Sequence, residues 1–195
     1  MAFIPCTKIT AGLNGLSCDT NPGGVQEIYL TNFEDFQYTL TGGTVSAIID
    51  PNTSATASFY TYTFRRNTAS VNEELTKDLT TGSLFYTQTA TITLDRWEKQ
   101  KRDQLMLLDN ALIGYIVKKT NGTYWLFGAD DGAYVTTNVA TSGTAKTDQN
   151  GYTITIVSEE PQRAYPIDPN IVADLIVTGK QIGRASCRER VSSPV

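Results

Sequence analysis

The sequence predicts a mainly β protein: a β-barrel or β-sandwich of about ten strands flanked by one α-helix. Three observations lead to this fold class. Short stretches of alternating apolar and polar residues follow one another along the chain, rich in β-branched and aromatic residues. Turn-forming Gly, Asn and Asp separate these stretches. A single segment has the periodicity of an amphipathic helix.

The chain is long enough for one domain with its own core. It has 195 residues, of which 40% are apolar and 18% charged, which is typical of a folded globular protein. We expect an irregular N-terminal arm over residues 1–23 and a single β domain over residues 24–177. The chain has no run of roughly 20 apolar residues and no pattern of a secretory signal, so we expect no membrane association.

Three short strands are expected first, because apolar and polar residues alternate in three consecutive stretches. These strands are expected at residues 25–31, 36–40 and 44–49. Residues 32–35 and the Thr-Gly-Gly sequence at 41–43 supply the turns between them.

Two longer strands are expected next. Residues 57–66 and residues 82–94 are both rich in aromatic and β-branched residues, so the two are expected to pair. The polar residues 67–81 between them would form a loop of about fifteen residues, longer than the usual hairpin connection. A loop of this length favours an extended arm with a function of its own.

The predicted helix covers about residues 95–110. Asp95 stands where an N-cap is expected and Glu98 follows three residues later, an arrangement that resembles a capping box. Trp97, Leu105 and Leu108 lie on one apolar stripe. We therefore expect an amphipathic helix packed against the sheet.

Strands resume after the helix. They are expected at residues 111–119, 123–128, 133–143 and 152–157. Asn121 and Gly122 between the first two predict a tight hairpin turn. Residues 171–177 are expected to form a final short strand or a tail.

Residue types limit the chemistry that the chain can perform. Histidine is absent, which removes the commonest general base, nucleophile partner and zinc ligand. Cys6, Cys18 and Cys187 form neither a disulfide framework nor a CxxC site. Reduced structural thiols are favoured, and a Cys6 to Cys18 pairing stays open.

Acidic residues beside glycine are candidates for a metal site. Asp130 and Asp131 in GADDG, together with Asp148 in TDQNG, could supply oxygen ligands for calcium. Neither stretch matches an EF-hand loop, and turn formation explains Asp and Gly equally well. We therefore assign no metal ligand.

Other acidic and aromatic residues are interpreted as surface and core. Acids such as Glu159 and Glu160 could form the carboxylate pair of a glycosidase, but a solvated surface is favoured. The aromatic residues of 59–64, with Phe85 and Tyr86, could form a sugar-binding platform, but core or interface packing is favoured. We predict no catalytic or cofactor-binding residue and no enzymatic activity.

The last residues differ from the rest of the chain. Residues 182–191 read IGRASCRERV, which resembles one translated frame of a sequencing adapter, so residues 182–195 are expected to be a non-native tail. Without that tail the chain has 13 basic and 19 acidic residues, a net charge of −6 in place of −4. Such a charge disfavours static binding of nucleic acid but permits a polyanion to slide past.

Four stretches follow one another in an order that resembles a bacteriophage tail tube protein, over about residues 25–168. The stretches are YTQTATITL at 86–94, RWEKQKRDQLMLLDNA at 96–111, IVKKTNGTYWLFG with the following DDGAYV at 116–135, and SGTAKTDQNGYTITIVSEE at 142–160.

The resemblance implies hexameric rings that stack into a hollow tube through which DNA passes. The subunit would associate with itself and with other tail proteins, would be assembled in the bacterial cytoplasm and would reside in the virion, with no cofactor or small-molecule substrate. Residues 67–81 would reach a neighbouring subunit. The candidate contact residues are Val71, Glu73, Glu74 and Leu75.

Two alternatives remain. The chain could be another phage head, neck or decoration protein, since several of these share small β folds. It could also be a carbohydrate-binding β-sandwich module that uses its tyrosines. Self-assembly distinguishes the tube subunit from the carbohydrate-binding module.

Overall fold

The computed structural model describes residues 11–13 and 22–177. Most of the N-terminal arm predicted for residues 1–23 lies outside these residues. The tail predicted for residues 182–195 and all three cysteines also lie outside them.

The described part of the chain is mainly β, which confirms the predicted fold class. It contains eleven strands, two α-helices and a short 3-10 helix at Phe33–Asp35. The strands are β1 (Val25–Asn32), β2 (Gln37–Thr41), β3 (Thr44–Ile49), β4 (Tyr60–Tyr62), β5 (Ala69–Lys77), β6 (Leu84–Asp95), β7 (Ile113–Lys119), β8 (Tyr124–Phe127), β9 (Ala133–Thr141), β10 (Gly151–Glu160) and β11 (Tyr165–Ile167). The helices are α1 (Lys99–Leu108) and α2 (Pro169–Leu175).

All strands belong to one open sheet, so the closed-barrel alternative is wrong. The order along the sheet is β2-β3-β11-β8-β7-β9-β10-β6-β5, and β1 pairs with β7 and β4. The two end strands, β2 and β5, do not pair with each other within the described residues. The sheet therefore keeps free edges.

The sheet has two parts that meet at a single residue pair, Ile113 of β7 with Ala133 of β9. We call β1, β2, β3, β4, β7, β8 and β11 the seven-strand part, and β5, β6, β9 and β10 the four-strand part. One buried cluster joins Tyr115 of β7 to Ile92 of β6 and Ile154 of β10. The two parts thus pack against each other across a shared core.

The seven-strand part also buries its other face. Ile116 of β7 and Tyr29 of β1 belong to a second cluster with Phe59 and with Leu175 of α2. Because both faces are covered, five consecutive residues of β7 are buried, so buried and exposed residues do not alternate along this strand.

Helix α1 is shorter than predicted. It begins at Lys99, with Glu98 at the N-cap position and no side-chain cap hydrogen bond, whereas Asp95 ends β6. The predicted capping box is therefore wrong, because pairing of Asp95 with Gly151 extends the strand. Leu105 and Leu108 are buried as expected, but Trp97 precedes the helix and is exposed.

Helix α2 replaces the strand or tail predicted for residues 171–177. The Asp168 side chain accepts a hydrogen bond from the Asn170 N–H at 3.0 Å, and Pro169 occupies the first turn. The helix buries Val172 and Leu175 against the second cluster. The prediction missed it because seven residues are too few for a clear helical period.

The pairing predicted for the long aromatic strand is also wrong. Of residues 57–66, only β4 is a regular strand, and it pairs with β1. The partners of β6 are β5 and β10. Residues 67–81, predicted as a loop, form strand β5 over most of their length. Their polar composition concealed the strand, because β5 is an edge strand with one wet face.

Candidate functional site

Strands β5 and β6 form a hairpin whose core-facing side runs from the domain core out to the turn. Residues paired across an antiparallel hairpin share a face, and every second pair returns to it. The pairs on this side, from core to turn, are Ala69 with Ile92, Val71 with Ala90, Glu73 with Gln88, Leu75 with Tyr86, and Lys77 with Leu84.

The turn end of the hairpin is mostly polar but carries three exposed leucines. We call residues 75–84 the hairpin tip. Leu75 and Leu84 are each 45% exposed although they continue the core-facing side, and Leu79 in the turn is 79% exposed. Strand β10 pairs with β6 only as far as Tyr86, so the tip extends beyond it.

The four predicted contact residues have different environments. Val71 is half-buried against the shared core, and Glu73 lies at the base of the hairpin. Glu74 is exposed on the opposite face, and only Leu75 belongs to the hairpin tip. Of the four residues, only Leu75 therefore lies beside the exposed leucines of the turn end.

A buried polar layer separates the core from the hairpin tip. The Gln88 side-chain oxygen accepts hydrogen bonds from the Gly128 N–H at 3.2 Å and from the Ser158 hydroxyl at 3.0 Å. The Gln88 side-chain amide donates to Glu73 Oε1 at 3.3 Å. Since Gln88 and Ser158 are fully buried, these bonds offset the cost of removing polar groups from water.

Glu73 connects this layer to the segment before β11. Its Oε1 accepts the Ala164 N–H at 2.7 Å, and its Oε2 lies 3.3 Å from the Arg163 guanidinium. The same guanidinium lies over the Tyr86 ring, 5.1 Å from its centroid. These contacts, all within one chain, orient the base of the hairpin.

Glu160 ends the buried face of β10 and holds the loop of residues 128–132. Its side chain accepts the Asp130 N–H at 3.0 Å and the Asp131 N–H at 3.2 and 3.3 Å. Glu160 is only 2% exposed. Burial raises its pKa to about 7, the nearby Asp130 and Asp131 charges act in the same direction, and the N–H bonds oppose them.

The aspartates that were considered as calcium candidates make hydrogen bonds within the fold. Both Asp130 oxygens accept tyrosine hydroxyls, Oδ1 that of Tyr38 and Oδ2 that of Tyr165 at 3.1 Å. Asp148 lies in another loop and accepts the Thr144 and Ala145 N–H groups, each at 2.8 Å. Among the described residues, no group of three or more acids could hold a metal ion.

Tyr115 places its hydroxyl in the same buried region, beside Ser158. Burial raises the pKa of this hydroxyl, the neighbouring Ser158 hydroxyl lowers it, and the charges of Glu160 and Glu73 raise it further. Tyr115 thus faces the polar layer from β7.

The sequence interpretation missed Glu160, although a signal was present. Tyr152, Ile154 and Ile156 share the buried face of β10, and the same period of two continues through Ser158 to Glu160. Glu160 was expected on a solvated surface beside Glu159, and only Glu159 is exposed. Of the aromatic residues near β4, Phe59 is fully buried as expected, whereas Tyr60 is 43% exposed.

No helix within the described residues is long and apolar enough to cross a membrane. Searches of protein-family models, curated proteins and solved structures found no match to this chain.

Proposed function

We propose that the protein is a structural subunit that assembles with copies of itself, as in the stacked rings of a bacteriophage tail tube. The hairpin tip carries this proposal. Leu75 and Leu84 continue a core-facing strand surface, yet nearly half of each side chain remains exposed. Burying apolar area gains about 25 cal/mol per Å², so a contact with a second copy would be favourable.

In this proposal the hairpin tip makes a head-to-tail contact. The tip belongs to an edge hairpin, and the surface that receives it would lie elsewhere on the neighbouring copy. Repeated contacts of this kind close into rings or continue into tubes. Glu73 and Arg163 would hold the base of the hairpin while its tip docks.

The charge of the chain is compatible with a DNA conduit. A net charge of −6 outside residues 182–195 would repel phosphates and prevent DNA from binding firmly during passage. The proposed location is the virion, after assembly in the host cytoplasm. Other tail proteins would contact the ends of the tube.

The test compares assembly of the chain without residues 182–195 with that of a Leu75→Ser/Leu84→Ser double variant. Mass measurement and negative-stain microscopy should show rings or tubes for the parent and monomers for the double variant. Leu40→Ser is the matched control, since Leu40 is 40% exposed on β2 at the other end of the sheet. Circular dichroism of each variant checks that the fold is retained.

Three outcomes would count against the proposal or a part of it. A parent protein that stays monomeric at high concentration and binds glycans would favour the carbohydrate-binding module. Assembly that survives the double substitution would show that the hairpin tip is not the contact. Rings that do not stack would favour a head or neck component.

A further inference from the structure

The loop of residues 128–132 connects the two parts of the sheet, because it leads from β8 into β9. Gly128 and Gly132 at its ends have φ values of +61° and +81°, which other residues rarely adopt. Glu160 holds the loop through two backbone N–H groups, and Tyr38 and Tyr165 hold it through the Asp130 side chain. Its position thus depends on hydrogen bonds to distant elements.

The surroundings of Glu160 are acidic or neutral. The loop contributes Asp130 and Asp131, β7 contributes the Tyr115 hydroxyl, and β11 contributes Tyr165. Glu73 of β5 adds a negative charge to the same region. Arg163 is paired with Glu73, and none of the ion pairs among the described residues includes Glu160.

We propose that Glu160 is a proton-controlled latch: with its proton bound, the loop of residues 128–132 stays docked, and loss of the proton loosens the loop. The physical reason is that none of the described residues forms an ion pair with Glu160 that would compensate its charge. An ionised Glu160 is a buried charge next to two aspartates, and its hydrogen bonds offset only part of that cost. Opening the loop returns the carboxylate to water.

The direction of the pH dependence follows from the pKa. Docking raises the Glu160 pKa from its usual 4.5 to about 7, so the docked loop binds the proton more tightly than the open loop does. The contribution of Glu160 to docking is complete below about pH 4.5. It decreases as the pH rises through about 7.

Amide hydrogen exchange of the full chain between pH 5 and pH 9 tests this latch. After correction for intrinsic exchange rates, protection of the Asp130 and Asp131 amides should decrease by about 10- to 100-fold as the pH rises. In Glu160→Gln, which keeps an acceptor oxygen but has no charge, protection should not change with pH. Glu159→Gln, at the exposed neighbouring position, should behave like the wild type.

A wild-type loop whose protection stays constant over this range would overturn the proposal. A Glu160→Gln variant that keeps the wild-type pH dependence would also overturn it. The carboxyl ¹³C chemical shift of Glu160 in the unmodified chain gives an independent measurement, which requires no variant to fold. A midpoint near 7 supports the latch, and a midpoint near 4.5 refutes it.

Discussion

Two loops are held by backbone N–H groups that donate to a carboxylate, but the two carboxylates differ in position and burial. Residues 128–132 contain two aspartates between glycines, and their backbone N–H groups bond to Glu160, about 30 residues away in the sequence. Residues 144–148 form a loop whose own Asp148 accepts the Thr144 and Ala145 N–H groups. The first acceptor is buried and the second is exposed.

This difference in burial shifts the pKa values of the two acceptors in opposite directions. The exposed Asp148 carboxylate has a lowered pKa, because the Ala145 and Thr144 N–H groups bond to it and burial costs little. Glu160 also accepts N–H groups, yet burial and neighbouring charges raise its pKa to about 7. Hydrogen bonds from backbone N–H groups favour the ionised form of both carboxylates. They determine the pKa shift of Asp148, but at Glu160 burial and neighbouring charges outweigh them.

The largest expected effect is that of Glu160→Ala. This change leaves two N–H groups of the loop at residues 128–132 without their acceptor, so the free energy of unfolding at pH 6 should decrease by about 2–4 kcal/mol. Urea unfolding followed by tryptophan fluorescence measures it. Glu159→Ala is the control and should change stability by about 0.5 kcal/mol or less. Equal effects of the two substitutions would contradict the anchoring role of Glu160.

A smaller effect is expected from Tyr38→Phe, which removes the hydroxyl that donates to Asp130 in the same loop. The free energy of unfolding should decrease by about 0.5–1.5 kcal/mol, the usual net value of one hydrogen bond. Tyr60→Phe is the matched control, since Tyr60 on β4 is 43% exposed. If Tyr38→Phe destabilised the protein no more than Tyr60→Phe does, the Tyr38–Asp130 hydrogen bond would not contribute to holding the loop.

The smallest effect is expected from Asp148→Asn, and its pH dependence should be opposite to that of Glu160. A lowered pKa means that the Asp148 charge contributes stability above its unfolded value of about 3.8, and that this contribution is lost as the pH falls. The wild type should therefore be slightly more stable than the variant at pH 7 and equal to it near pH 2. Urea midpoints at the two pH values measure this, and a difference that grows on acidification would contradict it.

Several elements could be predicted because local chemistry decides them. Asn121 and Gly122 form the expected turn between β7 and β8, where Gly122 has a φ of +83°. The alternation of Thr153, Ile154 and Thr155 identifies β10. In both cases, neighbouring residues provide the physical cause.

Other elements depend on partners far away in the sequence. Strand β5 is polar and resembles a loop, but it pairs along β6 and its Glu73 bonds to Ala164. The short α2 forms where Val172 and Leu175 meet the core around Phe59. Sequence interpretation misses such elements because tertiary contacts outweigh weak local preferences.

The environment of Glu160 depends on both the local strand pattern and the tertiary contacts. The period of two along β10 already assigns it to the buried face, since Ile154 and Ile156 precede it on that face. Its hydrogen bonds to Asp130 and Asp131, and hence its raised pKa, exist because the folded chain brings the β8–β9 loop to the end of β10. Side-chain periodicity is a local property of the backbone, whereas burial and charge proximity arise when separate strands pack together.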